Sequence, residues 1–189
     1  MNLKIAVMLF LITAILIAVM PSESSLGESY KLIYLHVPIT VITIGSLLLF
    51  PILHFKIDIK SVQGFSVATL IYSALHLVIS SVFMYMAWGG LIFSEIRFVF
   101  SLTLFLFALT HSLLCFIDSR LSRAYSFFIY LIVPYFYLQL TRAEFQLHPT
   151  FVQMPALLYI PYFFSFPFVV MVYVLLKNVF KVSPVFSHD

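Results

Sequence analysis

Long apolar runs separated by short polar clusters set the plan of this chain. Six runs approach or reach the roughly 17–25 residues that a helix needs to cross a bilayer: about 3–20, 32–54, 65–88, 97–117, 124–141 and 155–176. They predict an all-α polytopic membrane bundle of six transmembrane helices. No Gly/Ser-rich linker or block of charge divides it, so residues 1–189 read as one integral-membrane domain. The first run resembles a signal peptide in having Lys4 before an apolar stretch that ends at Met20. It is long for such a segment, and Pro21-Ser22-Glu23-Ser24 carries no A-x-A cleavage pattern, so it is read as a span. Pro134, Pro161 and Pro167 predict kinks in the last two spans. The segment Lys56-Ile57-Asp58-Ile59-Lys60 reads as a solvated turn without chemistry.

Composition agrees with this pattern. Hydrophobic residues make up 63% of the chain, against about 45–50% in soluble domains, and charged residues only 9%. A net charge of +3 is too small and too scattered to suggest nucleic acid, but its distribution orients the bundle. With the N-terminus in the cytoplasm, the inner side holds Lys4, Lys56, Lys60, Arg120, Arg123, Lys177 and Lys181. The outer side then holds Lys31, Arg97 and Arg142, both termini are cytoplasmic, and the outer loops are 21–31, 89–96 and 142–154. The lone Cys115 excludes a disulfide framework and a Cys pair for a metal, and the absence of Cys-x-x-Cys-His excludes covalent c-type heme.

Candidate chemistry lies in the histidines. His36 enters the second span within Tyr34-Leu35-His36-Val37-Pro38. An ionisable side chain at or inside the hydrocarbon is a functional candidate by default; the plainer reading is a headgroup-level histidine bonded to water or a carbonyl. Pro38 is read within the first helical turn, where its missing N–H matters little. His54 lies near the inner end of the same span. His76 and His111 lie about 18 and 24 Å below the outer ends of adjacent spans, counting 1.5 Å per residue. Two imidazoles at comparable depth can sandwich a b-type heme, or each can simply bond a neighbouring hydroxyl or carbonyl. Trp88 suits an interfacial aromatic belt, Glu95 and Arg97 suit a solvated loop, and His148 suits a polar one.

Three stretches together resemble the CcmC family, the heme exporter C proteins of cytochrome c maturation. Tyr34-Leu35-His36-Val37-Pro38 matches that family's Tyr-x-His-Val-Pro hallmark. In Ala87 to Arg97, Trp88-Gly89 and Arg97 align with a motif of the form Trp-Gly-x-Trp-Trp-x-Trp-Asp-x-Arg, and Glu95 stands at the acid. Leu91, Ile92 and Ser94 replace its tryptophans, leaving an apolar surface of Leu91, Ile92 and Phe93. Leu147-His148 aligns with part of a later outer-loop motif.

The resemblance implies a non-enzymatic protein that binds heme b non-covalently at the outer face of the cytoplasmic membrane. It implies His36 and His148 as axial iron ligands, with Trp88, Gly89, Phe93, Glu95 and Arg97 as the platform. Arg97, Arg142 or Lys31 would pair with the propionates. The implied partners are membrane lipid, a CcmE-type heme chaperone, an ABC-type CcmA/CcmB complex and a small single-span subunit. Two other classes stay open: an electron-transfer subunit with heme on His76 and His111, and an accessory subunit of a larger complex that binds no heme.

Overall fold

A computed structural model describes residues 3–20, 31–142 and 160–182. Among these there are six helices and no strand: α1 Leu3–Val19, α2 Ile33–Lys56, α3 Ile59–Trp88, α4 Ile96–Ile117, α5 Ser119–Arg142 and α6 Ile160–Val182. Five are long and apolar enough to cross a membrane. At 17 residues α1 is the shortest; it spans about 26 Å against a hydrocarbon core of about 30 Å. The chain is an all-α, multi-pass membrane protein.

Helix ends depart from the apolar runs where a polar side chain supplies a cap. The turn expected over 56–60 shrinks to Ile57 and Asp58, because Asp58 accepts from the Ser61 amide (2.9 Å) and the Ser61 hydroxyl (2.6 Å) and starts α3 at once. Asp118 does the same for α5, accepting from the Arg120 amide at 2.6 Å. Pro38 is also displaced from its expected position. Since α2 begins at Ile33, Pro38 lies in the second turn, where its ring removes the bond that the Tyr34 carbonyl would have received. Pro161 falls in the first turn of α6, a tolerated place, so Pro167 is the interior proline of that helix.

Short connections make α2 to α5 run up and down, the end of α1 meets the start of α2 through Lys31 and Ala18 and through Met20 and Tyr34, and side-chain pairs fix α6. Tyr72 donates to the Val169 carbonyl, and Thr69, one turn earlier on α3, bonds Tyr173, one turn later on α6 (2.8 Å). These two helices are therefore antiparallel. One end of the bundle gathers the starts of α2, α4 and α6 with the end of α3, and is called the His36 end; the opposite is the His54 end.

The interior is built by small residues. Ser61, Gly64, Ser66, Ala68 and Ser73 of α3 and Ser101, Ala108 and Ser112 of α4 are buried. In a bilayer, where lipid is as apolar as leucine, such residues let helix backbones approach closely. The largest apolar cluster joins α2, α4 and α5 through Leu47, Phe50, Phe100, Leu104, Ala108, Ile129 and Val133. A second joins α2, α3 and α6 through Ile39, Ala68, Tyr72, Val169 and Tyr173.

Gly89 ends α3 in the left-handed region at φ 72°, its amide donating to the Tyr85 carbonyl at 2.9 Å. A Cβ there would meet nothing within 4 Å, so only the backbone opposes a side chain. Gly89→Val is expected to lower stability by about 1–2 kcal/mol, read by thermal unfolding in detergent; an unchanged melting point would mean that the turn is not held.

Candidate functional site

His36 lies in the second turn of α2, and its imidazole stacks on that of His76 from α3, with ring centroids 4.6 Å apart and planes 23° from parallel. The Nδ1 atoms of both rings are buried and make no hydrogen bond. An imidazole nitrogen sealed from water without a partner forfeits about 1–3 kcal/mol, which a ligand can recover. Thr40 donates its hydroxyl to the His36 carbonyl at 2.7 Å, and Pro38 brings no amide donor to this turn of α2.

The level at which the two rings meet shapes this end of the bundle. His76 stands twelve residues, about 18 Å, before the Trp88 end of α3, whereas His36 stands about 5 Å from the start of α2. For near-parallel helices, α3 then rises roughly 13 Å past the start of α2. The first turn of α4 stands beside this rise, tied to α3 by Ser80 and Ser101 (3.2 Å). Its Arg97 lies close enough to His36 to act on it electrostatically.

The 89–95 connection closes that end. Glu95 is buried and caps α4: its Oε2 accepts from the amides of Arg97 (2.7 Å) and Phe98 (2.9 Å). Its Oε1 is buried and without a hydrogen bond, and its charge acts on the Arg97 guanidinium. The sequence suggested a solvated loop acid, but the cap draws Glu95 inward. Trp88 packs edge-on against Phe83 (5.9 Å). Leu91 and Phe93 are exposed, with Phe93 edge-on to Phe98 at 5.4 Å. The structure thus gathers His36, Trp88, Gly89, Phe93, Glu95 and Arg97 at one end of the bundle. His148 lies outside the described residues, and Lys31, at the same end, donates to the Ala18 carbonyl at 3.0 Å.

His76 and His111 do not form the pair that the sequence left open. His111 Nδ1 meets Ser66 Oγ at 2.8 Å, and Ser66 is ten residues, about 15 Å, along α3 from His76. Two imidazoles on one iron would hold their nitrogens about 4 Å apart, twice a metal–imidazole bond. Depth counted from separate helix ends missed this, because neighbouring helices are offset along their axes.

His111 instead joins a second cluster at the His54 end. Its Nε2 stands 3.3 Å from His54 Nε2, and Cys115 Sγ lies 3.7 Å from its Nδ1 and 3.9 Å from its Nε2. The Phe50 ring covers His111 at 3.9 Å between centroids. All three side chains are buried. Sequence reasoning used Cys115 only to exclude a disulfide framework and a Cys pair for a metal; its four-residue spacing from His111, one helical turn, was the available signal for a mixed cluster.

No protein-family model matches the chain, and no curated protein matches it.

Proposed function

We propose that this protein binds heme at the His36 end of its bundle and presents it to a partner during c-type cytochrome biogenesis. One observation carries the reading: a half-buried imidazole whose Nδ1 is sealed from water without a hydrogen bond, within electrostatic reach of an arginine and at the same end of the bundle as the exposed Leu91 and Phe93. Heme asks for these features, namely a nitrogen donor for iron, a cation for the propionates and area for the ring. His36 is the first axial ligand, and His148, placed in the same family-like pattern, is the second. Stacking on His76 holds the His36 ring in place, as a supporting contact should. Arg97 receives a propionate, and Trp88, Leu91 and Phe93 offer the apolar surface. Gly89 and Glu95 shape the platform by ending α3 and starting α4.

The charge distribution supports an outward-facing His36 end in the cytoplasmic membrane. Lys56, Lys60, Arg120, Arg123 and Lys177 all cluster at or near the opposite end. On this reading a CcmE-type chaperone takes the heme at the outer surface, an ABC-type CcmA/CcmB complex and a small single-span subunit complete the machinery, and the chain itself makes and breaks no covalent bond.

The test is an absorption spectrum of the purified protein, oxidised and dithionite-reduced, for wild type, His36→Ala, His148→Ala and His54→Ala. The expected result is about one heme in wild type, lost in the first two variants and kept in the third. Heme that is indifferent to His36→Ala would overturn the site. A wild type that takes up no added heme would leave the accessory-subunit reading in its place.

A further inference from the structure

The His54 end carries a cluster that the heme reading does not use. We infer that His54, His111 and Cys115 form a mononuclear transition-metal site for a thiolate-favouring ion, Zn2+ or Cu+, linking α2 to α4.

The geometry is that of converging ligands. Two imidazole nitrogens bound to one tetrahedral ion at about 2.0–2.1 Å stand about 3.3–3.4 Å apart, and the two Nε2 atoms here are 3.3 Å apart. A nitrogen and a sulfur on the same ion, at about 2.0 and 2.3 Å, stand about 3.6 Å apart; Cys115 Sγ is 3.7 Å from His111 Nδ1 and 3.9 Å from Nε2, beside the ring, so the thiol turns about its Cα–Cβ bond to meet an ion on the Nε2 lone pair. The three donor atoms all lie within 4.8 Å of one another. A direct hydrogen bond between the imidazoles uses one proton and one lone pair, whereas one ion engages a donor atom from each of the three side chains.

The surroundings suit a ligand set. When His111 Nδ1–H donates to Ser66 Oγ, the tautomer is fixed with the Nε2 lone pair free for the ion. Ser66 and Ser122 both approach the Cys115 sulfur and can donate to it once a bound ion has displaced its proton. Phe50 walls one side of the His111 ring, and Gln63 anchors the Cys115 carbonyl at 2.9 Å. Two imidazoles and one thiolate are the donors that zinc and copper accept, and hard cations such as Mg2+ do not. Three protein ligands leave one coordination position for an exchangeable fourth.

The experiment uses the full-length protein without a polyhistidine tag, purified in detergent, stripped with chelator and titrated with Co2+ as a Zn2+ probe. A parallel titration with Cu+ competes against a chromogenic chelator. The expected result is saturation at one ion per chain for at least one of them, and the arm that saturates names the ion class. Because Cys115 is the sole cysteine, a thiolate-to-Co2+ charge-transfer band assigns the sulfur without any variant. Cys115→Ser and His54→Gln should each weaken binding by at least tenfold, while His36→Ala leaves it unchanged. Wild type that takes up neither ion, or uptake that is indifferent to Cys115→Ser, overturns the site. Should a variant fail to fold, the wild-type charge-transfer band decides alone: its presence on Co2+ saturation upholds the thiolate ligand, and saturation without it overturns the assignment.

Discussion

Phe50→Ala is expected to cost about 3 kcal/mol of stability, the low end of the range for deleting a buried phenylalanine ring. Phe50 is fully buried, packs in the α2–α4–α5 cluster with Leu47 and Leu104, and lies flat over His111 with planes 20° apart. In water the loss would combine a transfer part and a cavity part. In a bilayer the transfer part shrinks, since helices that come apart still sit among lipid tails, and the lost packing contacts remain. Phe50→Leu keeps most of the volume and should cost less than about 1.5 kcal/mol. Both values come from reversible unfolding in mixed micelles with increasing anionic detergent. A loss below about 1 kcal/mol for Phe50→Ala would mean that the three-helix cluster closes over the gap and is not the rigid core described above.

Glu95→Ala should follow at about 1–2 kcal/mol, the effect of removing a helix cap. One carboxylate oxygen of Glu95 satisfies two of the amides at the α4 N-terminus, and its charge complements the positive end of the helix dipole. Glu95→Gln keeps the acceptor and loses the charge, so it should fall about midway. The same substitutions loosen the turn that carries Arg97, so heme retention should rank wild type above Glu95→Gln above Glu95→Ala. Equal stability of wild type and Glu95→Ala, read by thermal unfolding in detergent, would remove the cap from the account of this end.

The spans were legible in the sequence because a bilayer imposes a length and a polarity that few other contexts demand. Their ends were less so. Asp58 and Asp118 extend α3 and α5 through polar residues that hydropathy assigns to loops, because a cap satisfies the backbone without any apolar side chain. Glu95 likewise read as a loop charge until its two amide bonds placed it inside. The histidines showed the sharper limit. Their positions along each helix were readable, but their pairing depends on how far neighbouring helices are offset, and that offset is a property of the packed helix pair that neither sequence run carries alone. Hence His76 meets His36 and His111 meets His54. The Cys115–His111 pair, by contrast, lies on one helix and could have been read from spacing alone. The family-like pattern was local sequence too, which is why His36, Trp88, Glu95 and Arg97 emerged together, whereas His148 falls outside the described residues.

The helices also differ greatly in length, and a fluid membrane must accommodate the difference. With 17 residues α1 spans about 26 Å, while the 30 residues of α3 span about 45 Å. Lys31 fastens one end of α1 by donating to the Ala18 carbonyl, so the shortfall of a few ångströms falls at the Lys4 end. There the lipid leaflet thins, at a fraction of a kcal/mol per ångström. The bundle therefore carries a gradient of hydrophobic mismatch around its perimeter. Shorter acyl chains relieve it along α1, so bilayer thickness becomes a variable to which this protein's assembly responds.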